Sequence, residues 1–396
     1  MPNKSIMEIS EAIRTKLVEE RRRFHAWPEL GGEETETAAY VQEVMEQLGM
    51  EPCWVQDTLS ALYLLDTGKP GKTLVLRADM DALPVPEDEE NLAGKKVCVS
   101  RRPGFCHACG HDAHTAMLLA AARVLTAKKA ELQGRIYFLF ESGEENDATS
   151  RKVCRELKML RPDAVWGVHV TSFMETGTIS VQAGPRMSGH SPFHIRIHGH
   201  GGHGYRPDQA VNPVIAAAEI AGKLQSVVPL QLSPYDAGVL TVSSIRGGEA
   251  WNVIPDTCDI QGGLRYFTPA VYEKMVQQMD RIVEGVCLAN NCRATYLNRP
   301  ELRPAVTNDA ALSALAERAV EKVCPGVLVE QEPWMASEPF GRYQQLMPGV
   351  FAFVGTKNHV LGSGALHHNE KFDVDEACMP LGVTATVQFA CDFLGE

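Results

Sequence analysis

Residues 105–115 read Phe-Cys-His-Ala-Cys-Gly-His-Asp-Ala-His-Thr and set two thiols, Cys106 and Cys109, beside three imidazoles, His107, His111 and His114. Haem attachment needs a histidine directly after the second cysteine, and Gly110 stands there. A structural zinc knuckle needs a second Cys or His pair at similar spacing, which the chain lacks. A redox pair has no use for His111 and His114 alongside it. A catalytic metal centre fits better, because thiolate and imidazole are transition-metal ligands and the remaining positions call for carboxylates. Candidates are Asp79, Asp81, Glu144 and Glu145, with a further imidazole at His169. A helix start at His111 should favour a thiolate at Cys109 through its partial positive charge. In the Glu144–Glu145 pair, one carboxylate can hold metal while its neighbour takes a proton from water. An acidic pair alone is more often a solvated surface feature. Cys106 is read as a buried thiol without chemistry, and Asp112 and His114 as residues that cap and start the helix.

These side chains are remote from one another in the chain, so the fold has to gather them. "KTLVLRADMDALP", "GRIYFLFESGEEN", "DAVWGVHV" and "GVFAFVGT" are short apolar runs, and the first three end in acids or histidine. Between the first two lies "HTAMLLAAARVLTAKKAEL", a run of strong helix formers. Apolar runs separated by helices predict a buried, mostly parallel sheet with helices on its faces. Ligands of such sheets collect outside the carboxyl ends of the strands. Helical spacing is also read over 5–24 and 34–49. Near residue 188 the texture changes to alternating strands and two helices. Their order, strand–helix–strand–strand–helix–strand, is that of a ferredoxin-like α+β module. The chain is therefore expected to hold one α/β domain over 1–187 and 304–396, with an insert over 188–303.

The 396 residues exceed what one core usually serves. Asp and Glu number 50 against 38 Lys and Arg, a net charge of −12 with no basic stripe. That balance argues against nucleic acid and anionic membranes as partners. The N-terminus has no apolar h-region, and no continuous apolar run approaches a membrane span, so neither a signal peptide nor a transmembrane helix is expected. Eleven cysteines, an odd number without a framework, are expected to be reduced thiols in a cytoplasmic protein.

"RADMDALPVPE", "HACGHDAHTAMLLAAA", "GEE", "GVHV", "GHGGHGYRPDQAVNPV", "NVIPD" and "LHHNEKFDVDE" follow one another in this order over about residues 20–390. Together they resemble the metal-dependent amidohydrolases that include hippurate hydrolase, N-acyl-amino-acid amidohydrolases and indoleacetyl-amino-acid hydrolases, relatives of aminoacylase and carboxypeptidase G. The resemblance implies a metallopeptidase-like catalytic domain with a lid and dimerisation insert. It also implies two divalent ions (Mn, Zn or Co), a small N-acyl amino acid or dipeptide-like substrate, and a homodimer through the insert. On the same basis Cys109, His111, Glu145, His169 and His367 match the metal ligands. Glu144 matches the general base, and Asp81 matches the aspartate that orients the site. His203 matches the oxyanion histidine, and Asn252 and Arg265 match substrate-carboxylate and intermediate contacts. Asp79 stands where distant relatives place a metal histidine. The chain departs from the family pattern in four places. Glu141-Ser142-Gly143 replaces Gln-Pro-Ala, Cys106 replaces a Met, Pro339 replaces an Asp, and Tyr205 replaces a small residue. The extra carboxylate at Glu141 is expected near the base, where it would alter metal preference or tolerance of substrate charge.

Overall fold

The computed structural model describes residues 13–395. The helix read over 5–24 begins at Arg14, and its residues 5–12 lie outside the described ones. The chain forms two compact units. The first holds the N-terminal part to Arg186, then Thr307–Glu332 and Arg342 onward; the second holds Met187–Val306 and Pro333–Gly341.

In chain order the first unit starts with α1 (Arg14–Ala26), α2 (Thr35–Gln47), β1 (Pro52–Trp54), β2 (Ala61–Asp66) and β3 (Thr73–Asp79). It continues with α3 (His111–Ala127), β4 (Arg135–Glu141), α4 (Ser150–Leu160), β5 (Ala164–Glu175) and β6 (Ile179–Ser180). The chain passes to the second unit through β7 (Gly184–Met187). There it builds β8 (Gly189–His198), β9 (Gly202–His203), α5 (Pro213–Leu224), β10 (Gly238–Arg246), β11 (Val253–Ile254), β12 (Thr257–Tyr266), α6 (Pro269–Ala289) and β13 (Arg293–Asn298). It returns through β14 (Val306–Asn308) to α7 (Ala310–Val323), β15 (Gly349–Lys357) and α8 (Met379–Gly395).

The first unit's sheet runs β1-β2-β4-β3-β5-β15-β6. Its central pairs β4–β3, β3–β5 and β5–β15 are parallel, and the outer pairs are antiparallel. This is the mostly parallel sheet the apolar runs predict. β15 is buried along all but its last residue, as a strand covered on both faces must be. α3 is apolar almost all round and packs against α1, α8 and β3. Glu376–Gly395 is long and apolar enough to cross a membrane by length and composition, yet 72% of its apolar window is buried inside the molecule. Trp166 of β5 stacks on its Phe389 at 4.5 Å between ring centroids, the packing of a core helix.

In the second unit a four-stranded sheet runs β10-β12-β8-β13 with every neighbouring pair antiparallel. With α5 and α6 in their places along the chain, this is the ferredoxin-like order. Ile195, Ile197, Ile260 and Leu264 from the sheet close a core with Ile220, Met275 and Met279 of the helices.

Candidate metal centre

The carboxyl ends of β3 and β4 and the N-terminus of α3 place the site. Asp79 ends β3 opposite Glu141, which ends β4. α3 starts at His111 behind Gly110, whose φ of +91° is left-handed. A Cβ at Gly110 would lie 2.3 Å from Val170 Cγ2, so only glycine lets the helix start so close to β5. His169 does not end its strand, since β5 continues to Glu175. The β3–β5 register, which runs to Arg77↔Gly167, sets His169 level with Asp79 at the end of β3.

All five expected ligands and both expected acids of the first unit converge here. Cys109 Sγ lies 3.5 Å from His169 Nε2 and 3.7 Å from His367 Nδ1. His111 Nδ1 donates to Asp81 Oδ1 at 3.1 Å, which turns Nε2 toward the cluster. Asp79 Oδ2 and Glu145 Oε1 lie 3.8 Å from that nitrogen and Glu144 Oε2 lies 4.0 Å from it. None of them bonds it: His111 Nε2 and Glu145 Oε1 are both buried without a hydrogen-bond partner. Buried polar atoms are rarely left so. His169 Nδ1 donates to the Val170 carbonyl at 2.6 Å, which fixes the tautomer with Nε2 as an acceptor. Cys109, His111 and His169 form one potential ligand group; Asp81, His111 and Glu144 form another; Cys109, Glu145 and His368 form a third. A thiolate, imidazoles and carboxylates around two orphaned polar atoms suit divalent transition metals.

His367 and His368 both reach the cluster. His367 Nε2 accepts from Ser172 N at 3.3 Å while Nδ1 turns to Cys109. His368, at a φ of +64°, sets Nε2 3.3 Å from Glu145 Oε1 without lining up as a hydrogen bond. Asp112 and His114 do not cap the helix. Asp112 binds Arg21 Nε and His25 Nδ1, each at 2.8 Å. His114 Nδ1 donates to Asp79 Oδ1 at 2.6 Å and Nε2 accepts from Val170 N at 2.8 Å, so both its nitrogens are used.

Electrostatics correct one expectation. Burial, with the Glu145 charge adding to it, holds the Cys109 thiol well above its ordinary pKa, and the helix start does not offset this. Cation binding would therefore displace a proton from Cys109. Burial pushes His111 down, but Asp79, Cys109 and the bond to Asp81 lift it well above the usual imidazole range, so a cation would displace the Nε2 proton as well. Burial and the neighbouring imidazoles drive His367 down to about 3 and keep it neutral. Cys106, buried, is pushed up to about 12 and stays an inert thiol.

Glu141 is not the free carboxylate near the base that the sequence suggested. It is fully buried and accepts from Arg77 Nε at 2.7 Å and from the Tyr343 hydroxyl. Arg77 Nη1 also donates to Asp79 Oδ2 at 2.7 Å. The charge of Glu141 is thus met behind the site, and sequence reasoning missed this because Arg77 and Tyr343 are far apart in the chain.

The second unit carries the other three expected residues. His203 is exposed on the β9–β11 ribbon, paired with Val253, and Asn252 precedes that pair. His203 Nδ1 accepts from Tyr205 N at 3.1 Å, so Nε2 carries the hydrogen. Tyr205, the departure from a small residue, lies 5.6 Å from the His203 ring and packs edge-on against Trp251 at 6.2 Å. Arg265 sits on β12 with Nη1 buried and unpartnered.

The parallel sheet, the buried ligand cluster at its carboxyl edge and the adjacent acids define a metal-dependent hydrolase. The sequence pattern of Peptidase family M20/M25/M40 matches residues 75–392, and the chain belongs to that family. It is 35% identical over 382 residues to IAA-amino acid hydrolase ILR1-like 4 of Arabidopsis thaliana, covering 95% of this chain and 85% of the relative. It is 33% identical over 371 residues to N-acetylcysteine deacetylase of Bacillus subtilis (strain 168), covering 93% and 94%. The Bacillus subtilis YXEP protein, described as a dinuclear metal binding peptidase, superposes with a TM-score of 0.83 at 30% identity over 97% of this chain and 99% of that one.

Proposed function

We propose that the protein hydrolyses the amide bond of an N-acyl amino acid, with Cys109, His111, Glu145, His169 and His367 holding two divalent cations and Glu144 as general base. The single observation that carries this reading is the pair of orphaned buried polar atoms, His111 Nε2 and Glu145 Oε1, with Glu144 Oε2 4.0 Å from the first. Cations bound there would supply Lewis acidity and charge neutralisation. Glu144 takes one proton from the attacking water. The water oxygen bonds to the acyl carbon, the C–N bond breaks, and Glu144 returns the proton to the leaving nitrogen. Asp81 holds the His111 tautomer through Nδ1 and also accepts from Glu145 N at 2.9 Å, so one carboxylate orients both residues. His203, with its hydrogen on Nε2, suits an oxyanion donor. Arg265, half-buried with a buried and unmet Nη1, suits the substrate carboxylate, and Asn252 is assigned the same role.

Relatives named IAA-amino acid hydrolase and N-acetylcysteine deacetylase support an N-acyl amino acid as the first substrate to assay. A relative described as a peptidase supports a dipeptide as the second substrate to assay. The exposed outer strand β10 of the second unit offers an edge for a homodimer. Unpaired cysteines suit a reducing, cytoplasmic setting. Chelator-stripped protein should lose hydrolysis of N-acetyl and N-benzoyl amino acids and regain it with Mn²⁺, Zn²⁺ or Co²⁺. Glu144→Gln should keep its metal and turn over at least ~100-fold slower. Near-normal turnover by that variant would remove the base assignment.

A further inference from the structure

Glu34 is fully buried, and no cation is paired with it among the described residues. It holds the N-cap position of α2 yet makes no capping bond. Glu29 does that work instead, accepting from Glu36 N at 3.1 Å and Thr37 N at 2.8 Å. The Glu34 carboxylate turns the other way. Oε1 accepts from Gly143 N at 2.6 Å, and Oε2 accepts from Ser142 Oγ at 2.6 Å and Gly32 N at 2.8 Å. Gly143 directly precedes Glu144. The same loop is pressed from Gly31, where a Cβ would meet Asn146 Nδ2 at 2.8 Å and Asp81 Oδ2 at 2.9 Å. Asn146 Nδ2 donates to Gly31 O at 3.0 Å.

We propose that Glu34 is a positioning residue: its carboxylate grips the loop at Ser142 and Gly143 and so sets the direction of Glu144 and Glu145. This rests on the assignment of Glu144 as base. It also accounts for one departure from the family pattern. A proline at 142 has neither hydroxyl nor N–H, whereas Ser142 gives its hydroxyl to Glu34 and its N–H to Ser60 Oγ at 3.0 Å. In this chain hydrogen bonds do the work of a rigid ring. A residue kept for stability alone would not be a buried, cation-free carboxylate, since such burial is costly. Burial, with the Asp81 charge facing it adding to the effect, pushes Glu34 up to about 7.

The test uses full-length Glu34→Gln, Ser142→Ala and the double variant, metal-loaded, with kcat, KM and Tm measured for each. Glutamine fills the same space but sets an N–H₂ against donors that need an acceptor. Glu34→Gln should lower kcat ~10–100-fold, the range for partners that orient a metal site from behind, with KM unchanged. Ser142→Ala should lower kcat less, and in the double variant should add nothing. In metal-free Glu34→Gln, amide exchange should quicken over residues 142–148 and not elsewhere. Normal kcat in Glu34→Gln overturns the proposal; so does a double variant whose loss is the full sum of the two single losses, which marks independent roles. Glu144→Gln is run in parallel. Fast turnover there removes the base assignment and the latch with it. A slow Glu144→Gln beside a normal Glu34→Gln removes the latch alone.

Discussion

Replacing Glu141 by glutamine tests whether the extra carboxylate serves the substrate or the scaffold. Its Oε2 takes a charge-assisted bond from Arg77 Nε at 2.7 Å, its Oε1 takes the Tyr343 hydroxyl, and all three side chains are buried. Glutamine can keep a bond to each partner but removes the charge. A hydrogen bond to a charged group contributes about 1.5–3 kcal/mol and a neutral one about 0.5–1.5, so the variant should lose about 1–2 kcal/mol. Glu141→Ala is harsher. It strips a buried guanidinium of one partner and the Tyr343 hydroxyl of its acceptor, at about 3–5 kcal/mol. Urea unfolding of the metal-loaded proteins at pH 7 gives the stabilities. Initial rates on N-acyl derivatives of acidic, neutral and basic amino acids give the preference. The reasoning predicts the stated losses and an unchanged order of preference in Glu141→Gln. Unchanged stability together with a reversed charge preference would show that Glu141 faces the substrate, and would refute it.

Arg265→Lys should raise KM about 10-fold for substrates with a free carboxylate and leave their carboxamide analogues unaffected, because an ammonium cannot reproduce the guanidinium fork; equal effects on both series would dismiss the carboxylate contact. In metal-free protein the Glu34 carboxyl titrates near 7, above its usual 4.5, so its contribution to stability is full below 4.5 and is lost as pH rises through 7. The loss approaches about 3 kcal/mol. Unfolding of metal-free wild type and Glu34→Gln at pH 5 and pH 8 should therefore show the variant gaining on wild type at the higher pH; a constant difference would contradict the shift. Cys106→Ala should leave metal content and rates unchanged, whereas Cys109→Ala should lose metal, as measured by metal analysis and assay.

Residue types at strand ends pointed to most of the cluster, because an acid or imidazole after an apolar run is a local signal. What was not local was not legible. His169 looked like a strand end because the apolar run stops there, yet pairing with β15 carries the strand on to Glu175. The helix start at His111 suggested a thiolate at Cys109, but the sequence does not show that burial and Glu145 outweigh it. His114 looked like a capping residue because its partners, Asp79 and Val170, come from two other strands. Glu34 sits in "GGEETET", a stretch of acids that reads as a solvated helix start. Only the packing of Gly31 and Gly32 on the Ser142–Asn146 loop turns one of those acids inward. His368 illustrates the limit of a tandem pair, since a left-handed backbone at its position brings its ring to Glu145 while His367 faces Cys109.

The account stands on cations gathering where His111 Nε2, Glu145 Oε1, Cys109 and His169 face one another. Anomalous diffraction at the metal edge, on crystals of protein reconstituted with Mn²⁺ or Zn²⁺, measures this directly. Two peaks within that cluster, both lost after chelation together with activity, are the predicted result. Full amidase activity with no anomalous density there would contradict it.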